Sequence, residues 1–586
     1  MPTAADALSL SWAMGAQEEL PAAGERVGRS GDRYSRREAL YWAGGAAVAA
    51  AAGTGLFRIV TAVAAAPPDA EVDVAVVGGG PSGLYAAYRL LTGTPGHGSP
   101  VAAGSGRGGR PSVAVFEAAD RLGGRIWSVV PPGAPHLIAE FGGMRFLQTQ
   151  EIVPRLVKAL RLPYVPFSQG DGENFVYLRG VRFRVRQYAD PAVVPYVLPA
   201  TEAGRTPGEL LISAINKYVP HAATLTDAEW EKTKKTARSG GQLLADQGFW
   251  DLCQQALGAE GFDLTADGIG YPSLFENWNA VELMQGLAGD FAPGAAYFTI
   301  SGGYQRLPLT LGAVALHAGA AIHLQHSVVQ IQPSSGGRVS LTVQGPGGAS
   351  SRVSARHVIL AIPADPLTRL AERSPLLQDG RLAAAMATVG TAPASKMFLA
   401  FDSPWWDKLG IKGGFSITDL PIKRCWYFGT EGRQPGADPA NTNSLLMCYN
   451  DLTPAGYWSG YEPAAAFNGP PAPRRSPGPM VSSAVEQLSE LHGITVPDPY
   501  WSGFINWQNL PYGNAFHEWQ VHARSWEIIP YLREPFDGVG LSICGDCWSP
   551  AQNWIESALT STEGLLQSTF QYRPPPWLPD GLGIST

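Results

Sequence analysis

The chain has 586 residues, 45% of them apolar and 10% aromatic, which suits several buried cores and excludes a disordered or fibrous protein. Its 69 Gly and 49 Pro follow no fixed period and so mark a loop-rich globular protein rather than a repeat. With 43 basic against 50 acidic residues the net charge is −7, no long basic run is present, and nucleic acid is excluded as an expected partner.

Near the start, Ser35-Arg36-Arg37-Glu38 precedes a weakly apolar Ala/Gly/Val run over 41–57 and then Ala64-Ala65-Ala66. Paired arginines, a weakly apolar segment and a small-residue cleavage pattern, in that order, are those of a twin-arginine export signal. Residues 1–66 are therefore set apart from the fold, and a periplasmic or secreted protein is expected. Arg58 and the many small residues weaken the alternative of a membrane anchor, and no stable membrane insertion is expected. Five cysteines are too few for a disulfide scaffold, so the fold must rest on packing.

Val72-Asp73-Val74-Ala75-Val76-Val77 predicts a parallel strand covered on both faces. Gly78-Gly79-Gly80-Pro81-Ser82-Gly83 follows, and Leu84, Ala87, Tyr88 and Leu91 then recur at helical spacing. In the spacing Gly78-x-Gly80-x-x-Gly83, the first glycine makes the turn and the second admits a pyrophosphate. The third lets helix and strand pack closely, and the helix N-terminus offers its N–H groups to the phosphates. A second strand, Val113-Ala114-Val115-Phe116, ends at Glu117, where an acid can accept ribose hydroxyls, and the Gly/Pro/Ser-rich stretch 93–112 reads as an inserted loop.

Farther along come Asp120-Arg121-Leu122-Gly123-Gly124-Arg125 and Glu140-Phe141-Gly142-Gly143-Met144-Arg145. Ser301-Gly302-Gly303-Tyr304, Val358-Ile359-Leu360-Ala361-Ile362-Pro363 and Cys544-Gly545-Asp546-Cys547 follow, and Asn553-Trp554-Ile555-Glu556 opens a last helical pattern. On these motifs, in this order over 71–570, the chain resembles the flavin-dependent amine oxidase superfamily, in its L-amino acid oxidase and amino acid 2-monooxygenase branch. The resemblance implies an α/β fold, α+β overall. Residues 71–144, 292–390 and 537–572 would form a discontinuous Rossmann-like FAD-binding domain, 145–205 and 391–536 a mixed-sheet substrate domain, and 206–291 a helical insertion.

It also implies roles. Gly78, Gly80, Pro81, Ser82, Gly83, Glu117, Gly124, Arg125, Gly142, Gly143, Met144, Arg145, Val328, Gly545, Asp546, Trp554 and Ile555 would bind FAD. Arg145 matches the position of a carboxylate-binding arginine that plain amine oxidases lack, and a guanidinium can grip a carboxylate through two parallel bonds. In Ser395-Lys396-Met397, Lys396 matches a lysine that holds a water near the flavin. Tyr427, or Phe428 by a shift of one, would give a second carboxylate contact, and Trp554 would wall the α-amino group.

In the insertion, Asn277-Trp278-Asn279 with Asp263, Asp267 or Glu276 is expected to face the substrate side chain. Gly469-Pro470-Pro471-Ala472-Pro473-Arg474-Arg475-Ser476-Pro477 reads as an exposed loop, too proline-rich for helix or strand. The stretch Leu510-Pro511-Tyr512-Gly513-Asn514-Ala515-Phe516 has no counterpart of the family's flavin-linking cysteine, so non-covalent FAD is expected. Cys544-x-x-Cys547 is set aside as a metal pair because no second pair accompanies it. The activity implied is oxidation of an L-amino acid by O2 to a 2-oxo acid, ammonia and hydrogen peroxide, by a homodimer. An L-amino acid 2-monooxygenase, a plain amine or polyamine oxidase, and a flavoprotein without catalysis stand as alternatives.

Overall fold

The computed structural model describes residues 70–579 apart from 102–103, 107–108, 293, 464–468 and 510. The expected export signal lies outside the described residues.

The strand Ala70–Val77 is the centre of a seven-stranded sheet. It runs parallel to Val113–Glu117 on one side and to Ser350–Leu360 on the other. Ala321–Leu324 extends the sheet in parallel beyond Val113–Glu117, and Leu541–Ile543 pairs in parallel with the end of Ser350–Leu360. An antiparallel meander of Ser327–Pro333 and Val339–Gln344 completes it. Val74 and Val76 belong to one apolar core and Ala75 and Val77 to another, which explains why the strand shows no alternation of polar and apolar residues. Asp73 is buried without strain because its carboxylate accepts the Ser105 and Ser112 N–H groups at 2.6 and 2.9 Å. It thereby ties the inserted loop to the sheet.

A second sheet has eight strands in the order Arg474–Arg475, Trp501–Asn506, Ala394–Phe401, Ser444–Asp451, Arg424–Thr430, Phe415–Thr418, Phe175–Leu178, Val181–Arg184. Its register decides what faces the other layer. Lys396 lies opposite Tyr449, and Tyr449 opposite Arg424. One step on, Phe398, Met447 and Trp426 form the next row of that face and join Phe141 and Met144 in one core. The intervening residues Met397, Leu399, Tyr427 and Cys448 point to the far face, into a core closed by the helix Gly478–His492.

The helices Pro207–Tyr218, Asp227–Thr236, Phe249–Ile269 and Ala280–Asp290 pack around a core of their own. The first two start at reciprocal caps, Thr206 with Glu209 and Thr226 with Glu229, so local chemistry sets where they begin. Among the described residues no helix is long and apolar enough to cross a membrane.

Candidate active site

A cavity of about 610 Å³ runs from the glycine turn after Ala70–Val77 to the Lys396 face of the eight-stranded sheet. Among the helix N-termini that open onto it are those of Pro81–Thr92 and Ile555–Ser568. Pro207–Tyr218 and its neighbour carry side-chain caps, whereas Pro81–Thr92 and Ile555–Ser568 have none, although Gly80, Pro81, Ser82, Trp554 and Ile555 line the cavity. The first-turn acid of the second helix, Glu556, is turned away to accept the N–H groups of Glu151, Ile152 and Val153 at 2.7–2.9 Å. Unfilled N–H groups and positive dipole ends are thus left facing the cavity at two places, as binding of anionic or electron-rich groups requires.

The glycines divide into two kinds. Gly78 has φ +109° and a Cβ there would meet Ala361 O at 2.5 Å, while a Cβ on Gly83 would lie 2.0 Å from Gly78 O, so the fold itself demands both. A Cβ on Gly80 would meet only Gly124 Cα, at an ordinary 3.7 Å. Nothing in the protein excludes a side chain at Gly80, and its bare face is turned to the cavity, as a cradle for a close-lying cofactor would be.

Of the residues singled out from the sequence, Gly78, Gly80, Pro81, Ser82, Glu117, Gly124, Arg125, Gly142, Gly143, Met144, Arg145, Val328, Lys396, Gly545, Asp546, Trp554 and Ile555 all line this cavity. Gly83 does not, because it is the close-packing glycine behind the turn. Glu117 already holds Gly79 N at 2.6 Å and Ala119 N at 2.7 Å, which fixes its carboxyl at the end of its strand. Arg125 donates to the Asp546 carboxylate, to Ala515 O at 3.1 Å and meets His517 Nδ1 at 3.3 Å. His517, Asp546 and Cys547 lie close enough to share an ion, but the Arg125 guanidinium already places a positive charge there.

Lys396 is buried and donates from Nζ to Glu140 O at 3.0 Å and Gly142 O at 2.5 Å. Burial brings its ammonium down to about 7, with the Glu140 carboxylate opposing and Arg145 adding to the fall. Burial likewise pushes Glu140 up to about 7, although Ser128 and Tyr304 N donate to it. Arg145 is 9% exposed, donates to Gln169 Oε1 at 3.1 Å, and packs over Tyr297 and Trp426 at 4.4 and 5.1 Å from the ring centroids. Tyr297 stands there because its strand, Tyr297–Ile300, pairs with Phe146–Leu147, the residues that follow Arg145.

Four sequence expectations are corrected. Tyr427 is on the far face of its strand, where its hydroxyl bonds Ser416 Oγ at 2.7 Å and His492 Nε2 at 2.5 Å, so it contributes to the core and not to the cavity. Trp278 lies one layer behind the cavity, its Nε1 donating to Ser273 O at 2.6 Å and its ring against Phe516. Asp263 and Asp267 are engaged by Arg179 and Tyr196. The loop expected to be exposed is half-buried, its Arg474–Arg475 forms the edge strand of the eight-stranded sheet, and its Pro470 and Pro471 wall the cavity.

Other residues stand in their place. Tyr449 and Asp451 line the cavity from the strand next to that of Lys396, and Tyr271, Ser273 and Asp290 line it from the insertion. Asp451 is held by Ser273 Oγ at 2.6 Å. Glu518, pushed up to about 8 by burial and the nearby Glu282 charge, accepts Asn553 Nδ2 at 2.7 Å. Tyr449 had a signal in the sequence, since a strand-forming run ends on it, but only the pairing with Lys396 says which of its alternating residues face the site.

A glycine turn between strand and helix, an acid at the end of the next strand, and a second helix N-terminus on one cavity define a dinucleotide-type cofactor protein. The family model of flavin containing amine oxidoreductases matches residues 81–562, and the chain belongs to that family. It is a flavin-dependent amine oxidoreductase. Aplysianin-A of Aplysia kurodai is 26% identical over 545 residues, covering 86% of this chain and 91% of that protein. An L-amino acid oxidase of Bothrops pictus is 28% identical over 390 residues, covering 66% and 70%. Among solved structures, cyclohexylamine oxidase from Brevibacterium oxydans matches with a TM-score of 0.62 at 17% identity, over 86% of this chain and 99% of that one. Putrescine oxidase bound to putrescine matches at 0.60 and 18%, over 85% and 98%, and both matches speak for the fold. The uncapped helix ends and the bare Gly80 fit a flavin nucleotide.

Proposed function

We propose that the chain oxidises an L-amino acid with FAD and O2, giving a 2-oxo acid, ammonia and hydrogen peroxide. The observation that carries this reading is Arg145, a buried guanidinium on the wall of the cavity that Lys396 and Trp554 also line. A substrate such as putrescine or cyclohexylamine has no carboxylate to meet it, and the oxidases named for those amines resemble this chain in fold alone. Relatives called L-amino acid oxidases, at 26–28% identity, support the same assignment.

FAD would lie with its phosphates at the N-terminus of Pro81–Thr92, its ribose at Glu117, its adenine near Val328 and its ring toward Lys396 and Trp554. When bound, the flavin supplies the two-electron acceptor that O2 restores. The remaining work falls to side chains of this chain. Arg145 grips the carboxylate through paired charge-assisted bonds and so fixes the α-carbon. Tyr449, rather than Tyr427, is the tyrosine placed to add a second contact, because it shares the sheet face of Lys396. Trp554 closes one side of the α-amino group and keeps water from it. Lys396 is held by the Glu140 and Gly142 carbonyls, with Met144 Sδ at 3.6 Å, which fixes its Nζ on the cavity wall where it would hold a water beside the flavin.

A peroxide-coupled screen of the L-amino acids, with D-amino acids and plain amines beside them, tests the reading. Peroxide from L-amino acids together with 2-oxo acid and ammonia is expected. Oxidation of plain amines alone would refute it, and amide in place of 2-oxo acid would assign the monooxygenase reaction instead. Acid precipitation is expected to release the yellow cofactor, since no cysteine lies in 510–516 to bond it.

A further inference from the structure

Arg145 is not the only guanidinium at this end of the cavity. Arg424, on the strand next to Tyr449 and directly opposite it, is 4% exposed and lies on the same sheet face. Its Cζ sits over three rings, Phe415 at 3.6 Å, Tyr271 at 4.3 Å and Trp426 at 5.0 Å from the centroids. Its buried Nε and Nη1 have no hydrogen-bond partner among the described residues, and neither has the Trp426 Nε1 between the two arginines.

A buried guanidinium with two idle donors is costly, and the neighbouring Arg145 charge makes it more so. Asp290 is the carboxylate that acts favourably on both arginines, and it already accepts the Tyr297 hydroxyl. Two cations therefore share one anion until something else arrives. Tyr271 connects the parts, since it lies under Arg424, acts favourably on the Arg145 charge, meets the Tyr449 ring edge-on at 5.0 Å, and lines the cavity.

Given the reading of this cavity as an amino acid site, we propose that Arg424 is a positioning residue of the carboxylate subsite. It supplies the second positive charge that a ligand carboxylate neutralises, and it seats Tyr271, and through it Tyr449, against that ligand. Arg424 itself stands behind the cavity wall and touches neither substrate nor cofactor. The arrangement selects for an anion in the substrate and adds nothing for a plain amine.

The experiment uses the holoenzyme and two probes, benzoate for a carboxylate without an amine and benzylamine for the reverse, with binding read from the flavin absorbance or tryptophan fluorescence. Arg424→Met is expected to weaken benzoate about tenfold or more, as loss of one nearby charge in a low-dielectric site predicts. Benzylamine should bind as in the wild type or more tightly, and KM for L-amino acids should rise by the benzoate factor while kcat falls less. Arg424→Lys, which keeps the charge, should hold benzoate within about threefold of the wild type. Equal benzoate affinity in wild type and Arg424→Met overturns this inference alone. So does an Arg424→Lys variant as weak as Arg424→Met, since that marks a packing role. Should Arg424→Met not fold, Arg424→Gln against Arg424→Lys makes the same comparison, and equal affinities overturn the inference again. A wild type that binds no benzoate and oxidises no L-amino acid overturns the amino acid reading and this inference with it.

Discussion

Replacing Arg145 by Met removes the charge and keeps much of the volume, so the change isolates the carboxylate contact. The guanidinium is 9% exposed and packed among Tyr297, Trp426 and Phe167, a setting with little water to screen it. Two unit charges about 4 Å apart at an effective dielectric of about 20 attract by about 4 kcal/mol, and desolvation of both partners takes back part of that. A net loss of about 2 to 4 kcal/mol in kcat/KM is expected, which is about 30- to 900-fold. Arg145→Lys keeps the charge without the fork and should lose less, about tenfold. Peroxide release over a range of L-amino acid concentrations gives kcat/KM, with an amine that lacks a carboxylate as control. The control should be unaffected. A value for Arg145→Met within about twofold of the wild type, in protein that retains its flavin, would remove the basis for the amino acid assignment.

The two tyrosines separate site from core. Tyr449→Phe should raise KM for amino acids several-fold with little change in melting temperature. Tyr427→Phe should leave kinetics alone but cost about 1 to 2 kcal/mol of stability, because Ser416 and His492 lose a buried partner; the reverse pattern in kinetics would restore Tyr427 to the site. Gly80→Ala should fold yet hold less flavin per chain, whereas Gly83→Ala should lower the melting temperature, since its Cβ would press on Gly78 O at 2.0 Å; absorbance ratios and thermal melts distinguish them. For Lys396, the folded chain releases the proton near 7 while the unfolded chain holds it to the ordinary lysine value of 10.5. The unfolded state therefore binds more protons between those values, and this group makes stability rise with pH across that window. Lys396→Met should flatten the rise, and melts from pH 7 to 10 that keep the wild-type slope would contradict the burial argument. Glu140 acts oppositely: raised from 4.5 to about 7, it makes stability fall as pH climbs through that lower window.

Much of the cofactor half could be read from the chain because its signals are local. The turn from Val77 to Gly83 needs its glycines within one strand-to-helix junction, and their reasons, a positive φ at Gly78 and a close contact at Gly83, act over a few residues. Arg145 was singled out through the family resemblance of its Gly142-Gly143-Met144-Arg145 motif, whose first glycine the fold demands because a Cβ on Gly142 would strike Arg125 O at 1.9 Å. The substrate half depended on pairing between strands far apart in the chain. Alternation along Arg424–Thr430 groups Arg424 with Trp426 and Cys425 with Tyr427, but it does not say which group faces the cavity. That was decided when Ser444–Asp451 set Tyr449 between Lys396 and Arg424, because neighbouring strands must present directly opposed residues to the same side of a sheet.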